Sequence, residues 1–310
     1  MAEVSRTPPL LLYFPQWQGS GDENLIFHGA EALMDCLKND PVGNFTSIKV
    51  LPGIQTEREK ASRRKTSHWI RNYGTLSLYH REAVKAIATH SPERIFTLGG
   101  DCGIEFAPIS YLNSLYGREM AVIWLDAHAD LNTPPTSPSK TYHGMVLRSL
   151  IETFEIMPQG RGEFEDSPRS GFLTSTVPKR LHPEQVFLAG VRDLDPAEYE
   201  YITNQGIRCI KCEQLEMEQG KLLVNLLKRA GFRKVYIHID ADVLNLNDFN
   251  SVMCPTPGGI RLQTLKEIIK DIKNAYGDCT VGGSLVEVIK SNDNNVSYSG
   301  IAEVFTSLLR

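Results

Sequence analysis

Two short stretches of this chain concentrate the residue types that bind metal ions. Asp126-Ala127-His128-Ala129-Asp130 follows the apolar run Ala121–Leu125, and Asp240-Ala241-Asp242 follows Val235–Ile239. Each run reads as a buried strand, and each ends in carboxylates. Side chains alternate faces along a strand, but where the chain bends into a loop neighbouring groups can converge. In open α/β sheets, ligands bind outside the carboxyl ends of the strands. Carboxylates gathered there repel one another unless a cation lies between them. These residues therefore point to a metal centre. A third strand ends in Leu98-Gly99-Gly100-Asp101-Cys102-Gly103, whose paired glycines permit a sharp turn. That turn directs Asp101 and Cys102 toward the edge that carries Asp126 and Asp240.

The elements that must position these groups alternate from end to end. Strand patterns cover Leu10–Phe14, Ser47–Leu51, Arg94–Leu98, Ala121–Leu125, Gln185–Val191, Ile207–Cys212, Lys234–Ile239 and Val281–Val288. Helical periodicity covers Glu23–Leu37, Leu76–Thr89, Ala107–Leu115, Met145–Thr153, Ala197–Gln205, Leu222–Arg229, Leu262–Ala275 and Asn295–Leu309. The alternation predicts an α/β fold, a mainly parallel sheet with helices on both faces. Nothing marks a domain boundary. Thr56–His68 is a charged run that reads as a solvated helix face or a loop. Pro158–Pro183, rich in Gly, Pro and Ser, reads as a long surface loop, either a lid or partly disordered.

Composition narrows the function classes. A net charge of −4 and a pI near 6.1 give no support for nucleic-acid or membrane-surface binding. No apolar run approaches a membrane span, and Leu10–Phe14 is too short for a signal peptide and suits a first strand. The six cysteines are too scattered for a disulfide framework, which predicts a cytoplasmic protein. Cys209 and Cys212 form a lone C-x-x-C within a strand pattern, so their thiols should face opposite ways as buried structural residues. His238, inside a strand, reads as a core or outer-layer group. Gly282 and Gly283 mark a bulge or close helix packing.

Taken in order and spacing, Gly99-Gly100-Asp101, Asp126-Ala-His128-Ala-Asp130, His143-Gly144-Met145, Asp240-Ala-Asp242, Pro257-Gly258-Gly259 and Leu285-Val286-Glu287-Val288 resemble the arginase/ureohydrolase family. The resemblance runs from the first strand to the last helix. It implies one arginase-like catalytic domain over residues 1–310, a three-layer α/β/α sandwich around a mainly parallel eight-stranded sheet.

It also implies two Mn²⁺ ions sharing Asp126 and Asp240. One ion would be completed by His128 and Asp242, the other by Asp130 and the residue at Cys102. Two such ions give hydroxide near neutral pH, which attacks a guanidinium carbon. Asp130 would orient the nucleophile, His143 would shuttle protons, and Glu287 would pair with the substrate guanidinium. Positions matching Asn132, Ser137 and Ser139 receive the substrate α-carboxylate in arginases, and those matching Asp195 and Glu198 the α-amino group. Polar groups at both ends favour arginine or N-hydroxy-arginine over agmatine.

Cys102 departs from the pattern, which has His there. A soft thiolate holds a hard ion such as Mn²⁺ weakly, so this ion is expected to bind less tightly or to be altered. Cys254 stands where the family usually has Thr. The function implied is that of a metal-dependent amidinohydrolase acting on a guanidino-bearing α-amino acid. The alternatives are an N-hydroxy-arginine hydrolase giving hydroxyurea and ornithine, a formiminoglutamase-type amidine hydrolase, or an arginase-like protein with an impaired metal site. The partners implied are a small guanidino or amidino molecule and copies of the same chain.

Overall fold

In the computed structural model, which describes residues 8–21, 24–38, 45–51, 66–154, 180–291 and 297–310, consecutive residues of each central strand enter opposite cores. Met120, Val122 and Trp124 pack on one side, while Ala121, Ile123 and Leu125 pack on the other. A strand that is apolar on both faces must be covered on both, which is why these runs lack polar alternation. The strands are β1 (Leu10–Tyr13), β2 (Thr46–Lys49), β3 (Ile95–Leu98), β4 (Met120–Leu125), β5 (Val186–Ala189), β6 (Arg208–Ile210), β7 (Lys234–Asp240) and β8 (Thr280–Val286). They form one eight-stranded sheet in the order β2-β1-β3-β8-β7-β4-β5-β6. Every neighbouring pair is parallel.

The helices are α1 (Leu25–Lys38), α2 (Tyr73–His90), α3 (Phe106–Tyr116), α4 (Val146–Ile151), α5 (Pro196–Gln205), α6 (Cys212–Glu218), α7 (Gly220–Arg229), α8 (Leu262–Tyr276) and α9 (Ser299–Leu309). Buried residues of α2, α3, α4 and α5 join the core that contains Trp124. Those of α1, α6, α7, α8 and α9 join the core that contains Ile123. The result is the three-layer α/β/α sandwich that the alternation of elements implies. Among the described residues no helix is long and apolar enough to cross a membrane.

Two expectations change. The strand expected over Ile207–Cys212 stops at Ile210, and Cys212 opens α6 instead. The backbone N–H of Lys211 donates to Oε1 of Gln214 at 3.0 Å, a helix-start contact that ends the strand. Cys209 is consequently exposed and Cys212 half-buried, so the two are not a buried structural pair. The glycines of β8 accompany a register slip against β7 between Val235 and Tyr236, the bulge their pattern suggests. Residues 52–65, 155–179 and 292–296 lie outside the described residues, and with them most of Thr56–His68 and Pro158–Pro183 and the expected start of the last helix.

Candidate metal centre

The sheet order decides which strand ends meet. β3, β8, β7 and β4 are consecutive neighbours at its centre. Their carboxyl ends carry Asp101 and Cys102, Glu287, Asp240 and Asp242, and Asp126 through Asp130, respectively. The turn after β3 brings its backbone against the first strand's end. Gly100 has φ +89°, and a Cβ on it would stand 2.3 Å from the carbonyl oxygen of Phe14, so only glycine fits.

Three of these strand ends use the same local device. Asp101, Asp126 and Asp240 each accept, through Oδ1, the backbone N–H two residues on, from Gly103 at 2.9 Å, His128 at 2.6 Å and Asp242 at 2.7 Å. An aspartate bound to its own turn in this way is held in one orientation. Oδ2 of Asp126 accepts from the indole N–H of Trp124 at 3.0 Å. Oδ2 of Asp240 lies 3.2 Å from Sγ of Cys102. Asp101 is spent differently from its neighbours. Its carboxylate also accepts from Nε2 of Gln16 and the N–H of Gly19, anchoring the loop after β1.

Potential ligand atoms fall into three overlapping groups, each with its atoms within 4.8 Å of one another: Cys102, Asp126, Asp130 and His238; Cys102, Asp240 and Glu287; and Asp126, His128 and Asp242. The third brings together Asp126, His128 and Asp242, three of the four residues expected around one ion, with Nδ1 of His128 at 3.0 Å from Oδ2 of Asp242. The first brings together Cys102, Asp126 and Asp130 of the other expected set, with His238 added, whereas Asp240, expected to be shared by both ions, falls in neither of these two groups. Asp240 groups with Cys102 and Glu287.

Electrostatics show what this crowding costs. Burial, then Asp126, holds the carboxyl of Asp130 well above the usual range. Burial, then Asp242 and Asp126, does the same to Asp240. Asp242 is pushed up to about 6, by burial and Asp126. Burial would also raise Asp126, but His128 and His238 hold it below the usual range. Burial would lower His128, yet Asp126 and Asp242 raise it. Three of these four carboxyls thus resist ionising together, the signature of a site short of positive charge. Oδ2 of Asp130 and Oε2 of Glu287 are buried with no hydrogen-bond partner among the described residues. Oxygen-rich donors, two imidazoles and orphaned carboxylate oxygens fit a divalent cation. The Cys102 thiol is the one soft donor among them.

Beside the cluster, Glu287 follows β8 with φ +59°, and Asp130 has φ +54°. Non-glycine residues held in the left-handed region are costly and gather at functional sites. The backbone around Glu287 is pinned, its N–H donating to Gly100 and its carbonyl accepting from Met253. Oε1 of Glu287 accepts from the N–H of Cys102 at 2.9 Å and lies 3.1 Å from Nδ1 of His143. Cys254 stands nearby, its thiol pushed up to about 12 by burial and then Glu287.

The polar positions expected to grip a substrate's far end are partly committed to one another. Nδ2 of Asn132 donates to Oδ2 of Asp195 at 2.7 Å. Ser137 is buried and accepts from the N–H of Lys140, while the exposed Ser139 pairs with Thr141 at 2.6 Å. Both oxygens of Glu198 are occupied, by the N–H groups of Leu131 and Asp195.

A family model described as the arginase family matches residues 65–309. The chain belongs to this family. The arginase of Coccidioides posadasii is 29% identical over 197 residues, which is 61% of this chain and 58% of that protein. The matched stretch therefore spans less than two thirds of that relative's length. Across 98% of both chains, the structure of arginase from Bacillus caldovelox superimposes with a TM-score of 0.76 at 20% identity. Formimidoylglutamase from Bacillus subtilis does so with a TM-score of 0.71 at 15% identity, over 100% of this chain and 88% of that one. At these identities the likeness is one of fold.

Within this arginase-family site, His238 reads from the sequence only as a core or outer-layer group, and Glu105 goes unremarked. His238 is fully buried with Nε2 inside the cluster, and Glu105, also fully buried, lies against its Nδ1. Two-residue periodicity in β7 was the available signal for His238, since it shares a face with Asp240. Glu105 carried none, being brought in by the turn at Cys102–Glu105.

Proposed function

We propose that this chain is a divalent-metal-dependent amidinohydrolase that cleaves a guanidino C–N bond of an α-amino acid. The observation that carries this reading is the convergence of Asp126, His128, Asp130, Asp240 and Asp242 at central strand ends, beside a buried Glu287 whose Oε2 has no hydrogen-bond partner among the described residues. Asp126, His128 and Asp242 would hold one ion, and Asp126, Asp130, Asp240 and the Cys102 side would hold the other. When bound, such ions make water nucleophilic near neutral pH. Manganese suits the mainly oxygen donor set.

The chain's own residues do the rest. Glu287 has a free carboxylate oxygen in a buried setting, a suitable acceptor for the N–H groups of a planar guanidinium. Its strained backbone and its four contacts, with Gly100, Met253, Cys102 and His143, keep that oxygen in place. His143 rests on the other oxygen of Glu287, where it can hold a proton for the departing amine. Asp130, with one unpaired oxygen, is suited to orient the attacking water. At the far end, Asn132, Ser137 and Ser139 would meet the α-carboxylate. Asp195 would meet the amino group, while Glu198 ties the loop after β4, through the N–H of Leu131, to the loop after β5, through the N–H of Asp195.

The Cys102 thiol supports a second reading, because the change from His to Cys at this position resembles a minor branch of the family that hydrolyses N-hydroxy-arginine. A panel of arginine, N-hydroxy-arginine, agmatine and formiminoglutamate, assayed with manganese for urea, hydroxyurea and formamide, tests both. Release of urea or hydroxyurea from the α-amino acids alone is expected. Turnover of formiminoglutamate alone, or of none of the four by a fully metallated protein, would overturn the proposal.

A further inference from the structure

His238 is the imidazole in the cluster to which the family pattern gives no role. Register places it between Trp124 of β4 and Ser284 of β8. Its ring stacks on the Trp124 indole, with centroids 3.6 Å apart and planes 18° from parallel. Nδ1 lies 3.0 Å from Oε1 of Glu105 and 3.2 Å from Oγ of Ser284. Glu105 is itself fixed, accepting the Tyr236 hydroxyl through Oε2 at 2.6 Å. A carboxylate against Nδ1 claims the proton there and leaves Nε2 as a lone-pair donor.

Nε2 stands 3.8 Å from Oδ2 of Asp126 and 3.7 Å from Sγ of Cys102. The first distance is too long for an N–H···O hydrogen bond. At tetrahedral angles a nitrogen and an oxygen bound to one ion stand roughly 3.3–3.5 Å apart and a nitrogen and a sulfur roughly 3.6 Å, so both distances lie within a few tenths of an ångström of what one shared ion requires. Asp130, with its unpartnered Oδ2, belongs to the same group. Carboxylate–histidine pairs of the Glu105–His238 kind commonly orient and strengthen metal-ligating imidazoles.

We propose that His238 is a metal ligand: through Nε2 it completes the ion site at Asp126 and Asp130, supplying from β7 the imidazole that Cys102 does not supply from the turn after β3. Glu105 is its positioning residue. The inference rests on the amidinohydrolase reading only in requiring that divalent ions bind. Histidine relocated in this way keeps the site hard enough for manganese, with the thiol beside it as a weaker donor.

The test uses the full chain, stripped of metal and titrated with Mn²⁺ for stoichiometry and affinity. His238→Ala is expected to weaken one of two ions by about 10-fold or more and to spare the other. Cys102→His combined with His238→Ala, which returns an imidazole to the turn after β3, is expected to regain tight binding. A measurement on the unmutated chain guards against misfolding of the variants. With cadmium and histidine nitrogens isotopically labelled, scalar coupling of one metal to Nε2 of His238, and of the other to His128, is expected in the NMR spectrum. Two bound ions with coupling to His128 alone would overturn the role of His238 and leave the amidinohydrolase reading standing. Unchanged affinities in a folded His238→Ala protein would do the same. A chain that takes up no divalent ion would sink both.

Discussion

Nδ1 of His143 and Oε1 of Glu287 lie 3.1 Å apart, joining two side chains that are 144 positions apart in the sequence. Burial acts to lower the His143 pKa, but Glu287 overrides it and the net shift is upward. A raised histidine pKa contributes stability that is present below its unfolded value and lost as pH rises through the folded one. Glu287→Gln should therefore move the His143 titration, followed by NMR, to lower pH. The same change should lower kcat/KM for a guanidino substrate by about 100-fold or more, the usual cost of losing one preorganised polar contact. An unmoved His143 titration would show that the pair is incidental.

Metal and pH should act on stability with opposite signs. In the ion-free chain, Asp242 has its carboxyl raised from 3.8 to about 6 by burial and Asp126. Such a group contributes stability present below its unfolded pKa and lost as pH climbs through the folded value. A divalent ion binds the deprotonated carboxylate and reverses that trend. Thermal unfolding of metal-stripped protein should show Tm falling across this window. Manganese should raise Tm increasingly over the same range, with about 3 kcal/mol of stabilisation at ~100 times Kd. An equal manganese effect at both ends of the window would count against these carboxylates as ligands.

What the sequence disclosed and what it hid have separate physical causes. The sheet was legible because each central strand is an apolar run bounded by turn residues, and the strand ends because carboxylates follow those runs directly. Asp126, Asp130, Asp240 and Asp242 needed only the parallel sheet to bring them together. His238 was obscured because a histidine inside an apolar run looks like core, and its partner Glu105 is 133 residues away. Glu198 shows the opposite difficulty. Asp195-Pro196-Ala197-Glu198 matches a substrate-binding pattern and also a helix start with proline at the first position. The structure commits both Glu198 oxygens to backbone N–H groups. Helix α6 was missed because Ile207–Cys212 alternates like a strand until Gln214, beyond the run, caps the next helix.

The bulge in β8 leaves no room beside Gly282. A Cβ there would stand 2.3 Å from the carbonyl oxygen of Ile95 and 2.7 Å from the Tyr236 ring. Gly282→Ala should therefore destabilise the protein by about 1–3 kcal/mol through overpacking. It should also disturb the Tyr236–Glu105 contact. Urea denaturation is expected to show a lower midpoint with an unchanged slope. A midpoint equal to that of the parent would mean that the strands part to admit the methyl group.

Arg192 ties together three segments that frame the candidate metal centre. Its guanidinium donates to the carbonyls of Pro257 at 2.9 Å, Gly190 at 3.1 Å, Asp242 at 2.7 Å and Thr256 at 3.0 Å. A planar fork can serve four acceptors at once, whereas a lysine ammonium has three donors at one point and cannot span them. Arg192→Lys keeps the charge but should leave at least one buried carbonyl unpaired, at a cost of about 1–3 kcal/mol. Because one acceptor is the carbonyl of Asp242, the loss should reach the ion held by Asp126, His128 and Asp242 before the other. Manganese titration of this variant should thus show one weakened ion, and it should be the one that His238→Ala spares. Weakening of both ions to the same degree would indicate a general loosening of the fold instead of this local clamp.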